Sequence, residues 1–336
     1  MCIFEERYLI TPMFPASIFN IATPEEFRKL ALETFQYQYK NVPVYRKFCE
    51  TLGVEINAID SITEIPFLPI QFFKTEKVIA RDHNAQMVFT SSGTTGTIAS
   101  KHFISDIALY EKSFTLGFKQ RFGNPEDLVI LALLPSYLER QGSSLVYMVD
   151  SLIGATTNPK SGFYLNNTES LAKTLVELEE RGQKTLLIGV SFALLDLIED
   201  QKFQLNNTMV METGGMKGRR REMIREELHE KLKAGFGVSR IYSEYGMTEL
   251  LSQAYSLGDG VFKGPPWMKI LTRDPEDALA YVYHKTGGLN IIDLANRFSC
   301  SFIATQDLGK CYHDGSFEIL GRFDTSDIRG CNLMVL

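Results

Sequence analysis

The sequence predicts an α/β fold, with a largely parallel sheet covered by helices on both faces and a smaller, mostly antiparallel β unit after it. Between residues 87 and 250, short apolar runs alternate with longer segments of helical periodicity, as in successive βαβ units. After residue 260 the apolar runs become short and strand-like, and turn residues separate them. A chain of 336 residues exceeds the size at which one core keeps growing, so more than one packed subdomain is expected.

The first predicted element is a helix that begins after Thr23. Thr23 has the character of an N-cap, Pro24 occupies the first helical position, and Glu26 is spaced to bond back to the cap. Apolar residues follow at helical spacing from Phe27 and give the helix one buried face. Pro43 disfavours helical backbone in the residue before it, so the helix is expected to end there.

The α/β region continues with strands and helices in alternation. Strand-like runs occupy 128–134, 186–190, 209–211 and 240–242, with a further apolar region at 145–153. Helical periodicity occupies 169–180, 193–198 and 219–232. Ligands of such sheets bind at the carboxyl ends of the strands, where we expect residues 90–97, 213–215 and 244–249. The later β unit has strand-like runs at 268–271, 279–283, 290–294, 300–304 and 316–320.

A loop rich in hydroxyl groups and glycine follows the apolar run 87–89. Residues 90–97 read Thr-Ser-Ser-Gly-Thr-Thr-Gly-Thr. Hydroxyl donors, and backbone amides left open by glycine, suit a chain of phosphate groups. The loop is not a Walker loop, because Gly96 is followed by Thr97 where that motif has lysine. Such a composition is also typical of an ordinary flexible loop, so this segment alone leaves both interpretations open.

The composition excludes several classes of protein. A net charge of −6 argues against a general nucleic-acid binder, and the basic cluster 217–221 is best explained as the solvated start of a helix. The N-terminus lacks a signal-peptide pattern, and no run reaches the ~18 apolar residues of a membrane span, so a cytoplasmic protein is predicted. The five cysteines have no CxxC spacing, which disfavours a zinc site and a disulfide framework.

Three further fragments follow the hydroxyl-rich loop in order. They are Tyr-Ser-Glu-Tyr-Gly-Met-Thr-Glu at 242–249, Thr-Gln-Asp-Leu-Gly at 305–309 and Gly-Arg-Phe-Asp at 321–324. Together the four resemble the signature set of the adenylate-forming superfamily, which includes acyl-CoA synthetases, firefly-type luciferases and the adenylation domains of peptide synthetases. Segments 65–74, 134–140 and 328–333 resemble, within that superfamily, the LuxE-like acyl-protein synthetases of the bacterial bioluminescence operon. The likeness runs from about residue 20 to the last residue.

The resemblance implies the large N-terminal domain of an adenylate-forming enzyme, with two α/β subdomains and a small antiparallel β unit. That domain would span 1–320, with an α/β sheet core at 87–258 and a mostly β subdomain at 259–320. Residues 321–336 would be a hinge remnant and tail. The mobile C-terminal domain of the superfamily, and the lysine that it contributes, are expected to be lacking.

The implied activity is ATP-dependent conversion of a carboxylic (fatty) acid to an acyl-adenylate, followed by transfer to a protein cysteine. The phosphates would be held by Ser91, Ser92, Gly93, Thr94, Thr95, Gly96 and Thr97, with Lys101 as a further cation. Adenine and ribose would contact Gly214, Gly215, Tyr245, Gly246, Met247, Thr248, Asp307 and Arg322. The acyl pocket would include Ser136, Tyr137 and Arg140. Glu249 would anchor Mg²⁺, and Cys331 would accept the acyl group.

These roles agree with the chemistry of the side chains. An ionised Asp307 only accepts hydrogen bonds and so suits two ribose hydroxyls, and the carboxylate of Glu249 is a hard oxygen ligand of the kind that Mg²⁺ prefers. A thiolate at Cys331, favoured by neighbouring Arg329, would attack the adenylate and split one hard transfer into two easier ones. The residues before Lys101 depart from the superfamily pattern, which weakens the role of that lysine.

Plainer interpretations remain open at this stage. Glu249 could cap a helix that begins near Thr248, Tyr245 could be a core aromatic, Asp307 could be a turn residue, and Cys331 could be inert. At the level of function, the acyl acceptor could be coenzyme A or a carrier thiol, or an acyl-CoA-reductase-like partner that receives the group from Cys331. The chain could also be a non-catalytic nucleotide- or acyl-binding remnant.

Overall fold

The computed structural model describes residues 18–92, 98–135, 141–214, 223–277 and 280–323. Within these ranges the α-helices are α1 (Pro24–Asn41), α2 (Pro43–Thr51), α3 (Phe72–Thr75), α4 (Ile107–Phe122), α5 (Ser144–Ala155), α6 (Thr168–Glu180), α7 (Ser191–Asp200) and α8 (Arg225–Phe236). The strands are β1 (Leu68–Pro69), β2 (Met87–Thr90), β3 (Lys101–Ile104), β4 (Val129–Leu133), β5 (Gly162–Phe163), β6 (Thr185–Val190), β7 (Thr208–Thr213), β8 (Tyr242–Tyr245), β9 (Ala254–Ser256), β10 (Val261–Lys263), β11 (Met268–Arg273), β12 (Gly287–Asp293), β13 (Phe302–Cys311) and β14 (Phe317–Arg322).

Helix α1 begins as the sequence predicts. The Thr23 hydroxyl accepts a hydrogen bond from the Glu26 amide at 3.2 Å, and the Glu26 carboxylate accepts one from the Thr23 amide at 2.9 Å. This reciprocal pair is a capping box, which satisfies two of the amides that a helix N-terminus leaves without partners. Val42 is extended, with φ −103° and ψ 100°, so Pro43 ends α1 and begins α2.

One large sheet carries most of the strands. Its order is β11-β12-β13-β14-β10-β9-β8-β7-β6-β4-β5, and β1 pairs with β13. The strands from β5 to β8 are parallel, and those from β8 to β14 are antiparallel. Strands β4 and β6 are buried along their whole length, as expected of parallel strands covered on both faces. The predicted change from βαβ units to antiparallel strands is therefore confirmed, and both parts belong to the same sheet.

Three local predictions are corrected by the structure. Strand β2 does not join the parallel sheet but pairs with β3 in a separate two-stranded antiparallel sheet. The strands of a parallel sheet are covered on both faces, whereas β2 buries only Phe89 fully. The helix predicted over 219–232 begins at Arg225, since Ile224 is extended. Of the strand predicted over 279–283, the described part retains a single bridge between Tyr281 and Arg273.

The antiparallel half of the large sheet is strongly curled. Three strands separate β8 from β13, so a flat sheet would hold them about 19 Å apart at the usual strand spacing of about 4.8 Å. The hydroxyl of Tyr245 on β8 nevertheless donates a hydrogen bond to the carboxylate of Asp307 on β13 at 2.7 Å. The rings of Phe262 and Phe317 pack inside the curl, with centroids 5.6 Å apart. The curl therefore brings the end of β8 against the middle of β13.

The apolar core is continuous from the N-terminal helices to the antiparallel strands. Trp267 is fully buried, and its indole N–H lies 3.0 Å from the hydroxyls of both Ser113 and Ser252. Across the described residues, no helix is both long and apolar enough to cross a membrane.

Candidate active site

A cavity of about 1260 Å³ lies where the loop after β2, the ends of β7 and β8, and the strands β13 and β14 meet. Its walls include most of the described residues that the sequence assigned to ATP binding, which are Ser91, Ser92, Gly214, Tyr245, Gly246, Met247, Thr248, Glu249, Asp307 and Arg322. Since a nucleotide is a ligand of drug size, a cavity of this volume has room for ATP and a second molecule. The four fragments that are far apart in the sequence therefore converge on one space.

Asp307 lines this cavity, and its carboxylate has hydrogen-bonding capacity to spare. Its carboxylate accepts from the Tyr245 hydroxyl at 2.7 Å and pairs with the guanidinium of Arg322 at 3.1 Å. A carboxylate offers about four acceptor positions, so a ligand with two hydroxyls can still bind there. Asp307 is an internal residue of β13, which rules out the interpretation of a turn aspartate. Burial and the Asp307 charge raise the pKa of Tyr245 well above its ordinary value, so the phenol remains a donor.

Glu249 lies in a turn after β8 and faces the same cavity. The residue is 5% exposed, and burial raises the pKa of its carboxyl. Residues 246–250 contain no helix, so the alternative that Glu249 caps a helix beginning at Thr248 is wrong. In the part of the chain that the structure describes, no group of three or more His, Cys, Asp and Glu side chains could hold a metal ion.

A buried histidine that the sequence analysis missed fixes the backbone of this turn. His102 on β3 is fully buried, with its Nδ1 atom 2.8 Å from the Thr248 carbonyl and its Nε2 atom 2.9 Å from Asn296 Oδ1. The amide of Asn296 donates in turn to the Glu249 carbonyl at 2.7 Å. Burial lowers the pKa of His102 to about 4, so the ring is neutral at physiological pH. The neutral ring has one N–H and donates to one of its two oxygen neighbours, and together His102 and Asn296 contact the carbonyls on both sides of the Glu249 α-carbon.

Asp293 holds the next part of the same segment. Its carboxylate accepts from the Leu251 amide at 2.8 Å and from the Ser252 hydroxyl at 2.6 Å. The side chain is fully buried, and burial raises its pKa to about 6. Lone polar residues in apolar runs gave no signal in the sequence, yet they position the segment that follows β8.

The inner wall of the cavity is polar at the carboxyl ends of β7 and β8. The carboxylate of Glu212 lies 3.5 Å from His229 Nε2 and 3.7 Å from Arg225 Nε. On the opposite face, the Thr213 hydroxyl donates to the carboxylate of Glu244 at 2.6 Å. Burial raises the pKa of Glu244 to about 7, and the nearby Glu212 charge adds to this effect. The sequence analysis placed Thr213 and Glu244 at the ligand-binding edge of the sheet without giving them a role, and it did not assign Glu212, Arg225 or His229 to the site.

The remaining site predictions divide into two groups. Lys101 is exposed at the start of β3 and is not among the residues that line the cavity, whereas Lys74, in the segment after β1, does line it. The other predicted residues lie outside the described ranges, namely Gly93, Thr94, Thr95, Gly96, Thr97, Ser136, Tyr137, Arg140, Gly215 and Cys331.

The family model described as "Acyl-protein synthetase, LuxE" matches residues 13–336. The chain belongs to the LuxE family of acyl-protein synthetases. It is 23% identical over 332 residues to a long-chain-fatty-acid–luciferin-component ligase of Vibrio harveyi, a match that covers 91% of this chain and 86% of that protein. A ligase of the same description from Photorhabdus luminescens is 37% identical over 70 residues, which cover 20% of this chain and 60% of that protein.

Solved structures of adenylate-forming enzymes share the fold. A 2-hydroxyisobutyryl-CoA ligase with bound 2-HIB-AMP and CoA superposes with a TM-score of 0.64 at 15% identity, over 96% of this chain and 74% of that chain. ATP-bound MatB from Rhodopseudomonas palustris superposes with a TM-score of 0.50 at 20% identity, over 70% of this chain. The chain spans about half of the MatB chain, 47%.

Family and fold together confirm the predicted class. The chain has the α/β fold of adenylate-forming enzymes and is an ATP-dependent ligase that activates a carboxylic acid. The domain boundaries given above and the individual roles of the site residues stay predictions.

Proposed function

We propose that the cavity binds ATP beside a carboxylic acid and that the acid is activated there as an acyl-adenylate. The observation that carries this proposal is the convergence on one cavity of Ser91 and Ser92, of the 245–249 segment and of Asp307. In this arrangement a nucleotide finds hydroxyl donors at one end and an acceptor carboxylate at the other, which matches the chemistry of phosphates and of ribose respectively.

The orientation of the nucleotide follows from the charges of the walls. The ribose hydroxyls donate to Asp307, which Tyr245 and Arg322 hold in place. The base lies between Tyr245 and the backbone at Gly214, where an aromatic ring and an exposed peptide offer a flat contact surface. The phosphates extend toward Ser91 and Ser92 and the loop that follows them. Lys74, on the cavity wall, supplies positive charge there in place of Lys101.

Mg²⁺ fits this site through Glu249. Mg²⁺ is usually bound by one or two carboxylates, together with phosphate oxygens and water, so a single buried carboxylate on the cavity wall is sufficient. When bound, the ion would neutralise charge on the phosphates. His102 and Asn296 keep the Glu249 backbone in position through its flanking carbonyls, and burial keeps bulk water from competing for the carboxylate.

The proposed reaction has two steps. A carboxylate oxygen of the acid forms a bond to the α-phosphorus of ATP, the bond to the bridging oxygen breaks, and pyrophosphate leaves. A thiolate then forms a thioester with the acyl carbon, and the acyl–oxygen bond breaks to release AMP. The described cysteines Cys49, Cys300 and Cys311 are buried, and burial raises their thiol pKa values, so none is a suitable nucleophile. Cys2 and Cys331 lie outside the described ranges, and we assign the acceptor thiol to Cys331 because the resemblance to LuxE-like proteins implies that role and because Cys2 lies outside the family match.

The acyl group then passes to a partner protein in the cytoplasm, an acyl-CoA-reductase-like enzyme or a carrier protein. Family membership supports a protein acceptor, and the acid is a fatty acid by analogy with the named relatives.

Acid-dependent exchange of labelled pyrophosphate into ATP tests the first step, and intact-mass analysis after incubation with Mg-ATP and acids tests the second. Wild-type protein is expected to support exchange and to gain one acyl mass. Cys331→Ser is expected to keep exchange and lose the acyl mass, whereas Cys2→Ser, outside the family match, keeps both. Absence of exchange with every acid would refute the proposal. Acylation of coenzyme A by Cys331→Ser at the wild-type rate would refute the protein-thiol step.

A further inference from the structure

Asp307 lies in a β-bulge of strand β13. A single residue of β12, Leu289, faces the stretch of β13 that is formed by residues 305–307. The bulge takes these three residues out of the ladder between the two strands, so their backbone N–H and C=O groups need other partners. Bulges often lie beside active sites, where they change the direction in which a side chain points. The groups that hold this bulge therefore determine where the Asp307 carboxylate lies.

Arg273, the last residue of β11, reaches this bulge across the width of β12. Its Nη2 atom donates a hydrogen bond to the Thr305 carbonyl at 2.5 Å. Its Nη1 atom donates to the Leu289 carbonyl at 2.9 Å and to Asn290 Oδ1 at 2.7 Å. The planar fork of the guanidinium thus binds acceptors on both strands at the place where the ladder between them is interrupted.

Gly288 leaves the space through which the Arg273 side chain passes. The two residues face each other in the ladder between β11 and β12, and a Cβ on Gly288 would lie 2.3 Å from the guanidinium carbon of Arg273. The φ of Gly288 is not positive, so the backbone conformation does not require glycine there. A side chain at position 288 would therefore displace the guanidinium from the bulge.

The backbone of the bulge has two further partners, Thr305 and Phe323. The Thr305 hydroxyl accepts a hydrogen bond from the Asp307 amide at 3.0 Å. The Phe323 amide donates to the Gln306 carbonyl at 2.8 Å, and the guanidinium of Arg273 lies over the Phe323 ring, 5.5 Å from its centroid. Arg273 thus contacts two of the four signature fragments, although it is not among the described residues that line the cavity.

We propose that Arg273 is a positioning residue, which holds the bulge of β13 in the shape that directs the Asp307 carboxylate toward the nucleotide. The inference rests on the proposed function, in which Asp307 receives the ribose hydroxyls, and it adds a residue outside the cavity to that function. Without the guanidinium, the Thr305 carbonyl and Asn290 Oδ1 lose their donor, so the backbone that leads to Asp307 is no longer fixed. Lysine at this position keeps the charge but lacks the planar fork that binds both strands.

Pyrophosphate exchange with ATP and with 2′-deoxy-ATP tests this role, with whichever of butanoic, octanoic and tetradecanoic acid gives the highest rate. Wild-type protein is expected to favour ATP about tenfold or more in kcat/KM, because 2′-deoxy-ATP lacks one donor to Asp307. Arg273→Met and Arg273→Lys are expected to lower this preference to within about threefold of one through a higher KM for ATP, while the KM of the acid stays within about twofold. A purely structural role would lower the rates with both nucleotides by the same factor. Arg121→Met removes another partly buried arginine that donates to a backbone carbonyl, and it is expected to keep the wild-type preference.

Gly288→Ala provides a second variant, because it keeps Arg273 but blocks the path of its side chain. It is expected to lower the preference for ATP as Arg273→Met does, and the double variant should lose no more than Arg273→Met alone. Retention of the wild-type preference by folded Arg273→Met, or by Gly288→Ala if Arg273→Met does not fold, would overturn the inference and leave the ribose contact standing. Wild-type exchange without any preference for ATP would overturn the ribose contact at Asp307 together with the inference. Absence of exchange with every acid would overturn the proposed function as a whole, so the failures differ.

Discussion

Replacing Glu244 by glutamine should stabilise the protein at alkaline pH and not at acid pH. Burial raises the pKa of Glu244 from 4.5 to about 7, so the folded state favours the protonated carboxyl. A carboxyl whose pKa is raised by folding supports the folded state fully below pH 4.5, and its contribution is lost as the pH rises through about 7. A rise of the carboxyl pKa from 4.5 to about 7 corresponds to about 3 kcal/mol. Glutamine does not titrate and keeps the hydrogen bond from Thr213.

The assay is urea unfolding of wild-type protein and Glu244→Gln at about pH 4.5 and about pH 8. The free energy of unfolding of the variant, minus that of the wild type, should rise by about 3 kcal/mol between the two conditions. Other titrating groups contribute equally to both proteins and cancel in the difference. Glu126→Gln, at an exposed carboxylate, is the matched control and should show no such rise. An equal difference at both pH values would refute the raised pKa and the buried position of this side chain.

Three further changes test the rest of the site. His102→Ala removes a fully buried ring and the one hydrogen bond that it donates to the Thr248 carbonyl or to Asn296 Oδ1. The change should cost about 2–5 kcal/mol in urea unfolding and raise the KM for Mg-ATP, and unchanged stability would contradict the proposed support of the Glu249 backbone. Asp307→Asn should raise the KM for ATP about tenfold or more in the exchange assay while the KM of the acid stays within about twofold, and the reverse pattern would exclude a ribose contact. Gly246→Ala places a methyl group 2.6 Å from a buried carboxylate oxygen, so it should cost about 1–3 kcal/mol and lower kcat/KM for the acid, whereas full activity would show that the acid does not approach this residue.

The elements with strong local signals were predictable from the sequence. Thr23, Pro24 and Glu26 form the start of a helix because a cap, a fixed φ and a back-bonding carboxylate act within four residues. The continuous apolar run of β4 could only be a strand covered on both faces. The meeting of Ser91 and Asp307 at one cavity followed from ordered motifs and not from local propensity, and the curl that brings β8 to β13 left no periodic signal.

The polar interior of the site was not predictable for a different reason. His102 and Asn296 are 194 positions apart, and neither belongs to a pattern that the sequence shows. Their function depends on which carbonyl they face, which is a property of tertiary packing. Strand β2 was assigned to the wrong sheet because a short strand has the same apolar sequence pattern in a two-stranded hairpin as in an edge strand of a larger sheet.

The hydrogen bond between Tyr245 and Asp307 ties together two distant strands of one sheet, so the surface that we propose to bind base and sugar is preassembled. Ordering this part of the protein therefore costs little free energy when a nucleotide binds. AMP retains the same base and sugar as ATP. The preassembled surface at Tyr245 and Asp307 therefore cannot distinguish ATP from AMP by changing its conformation. Release of AMP must therefore depend on the loss of contacts at the phosphate and acyl ends of the cavity. We expect AMP to inhibit the enzyme competitively with respect to ATP.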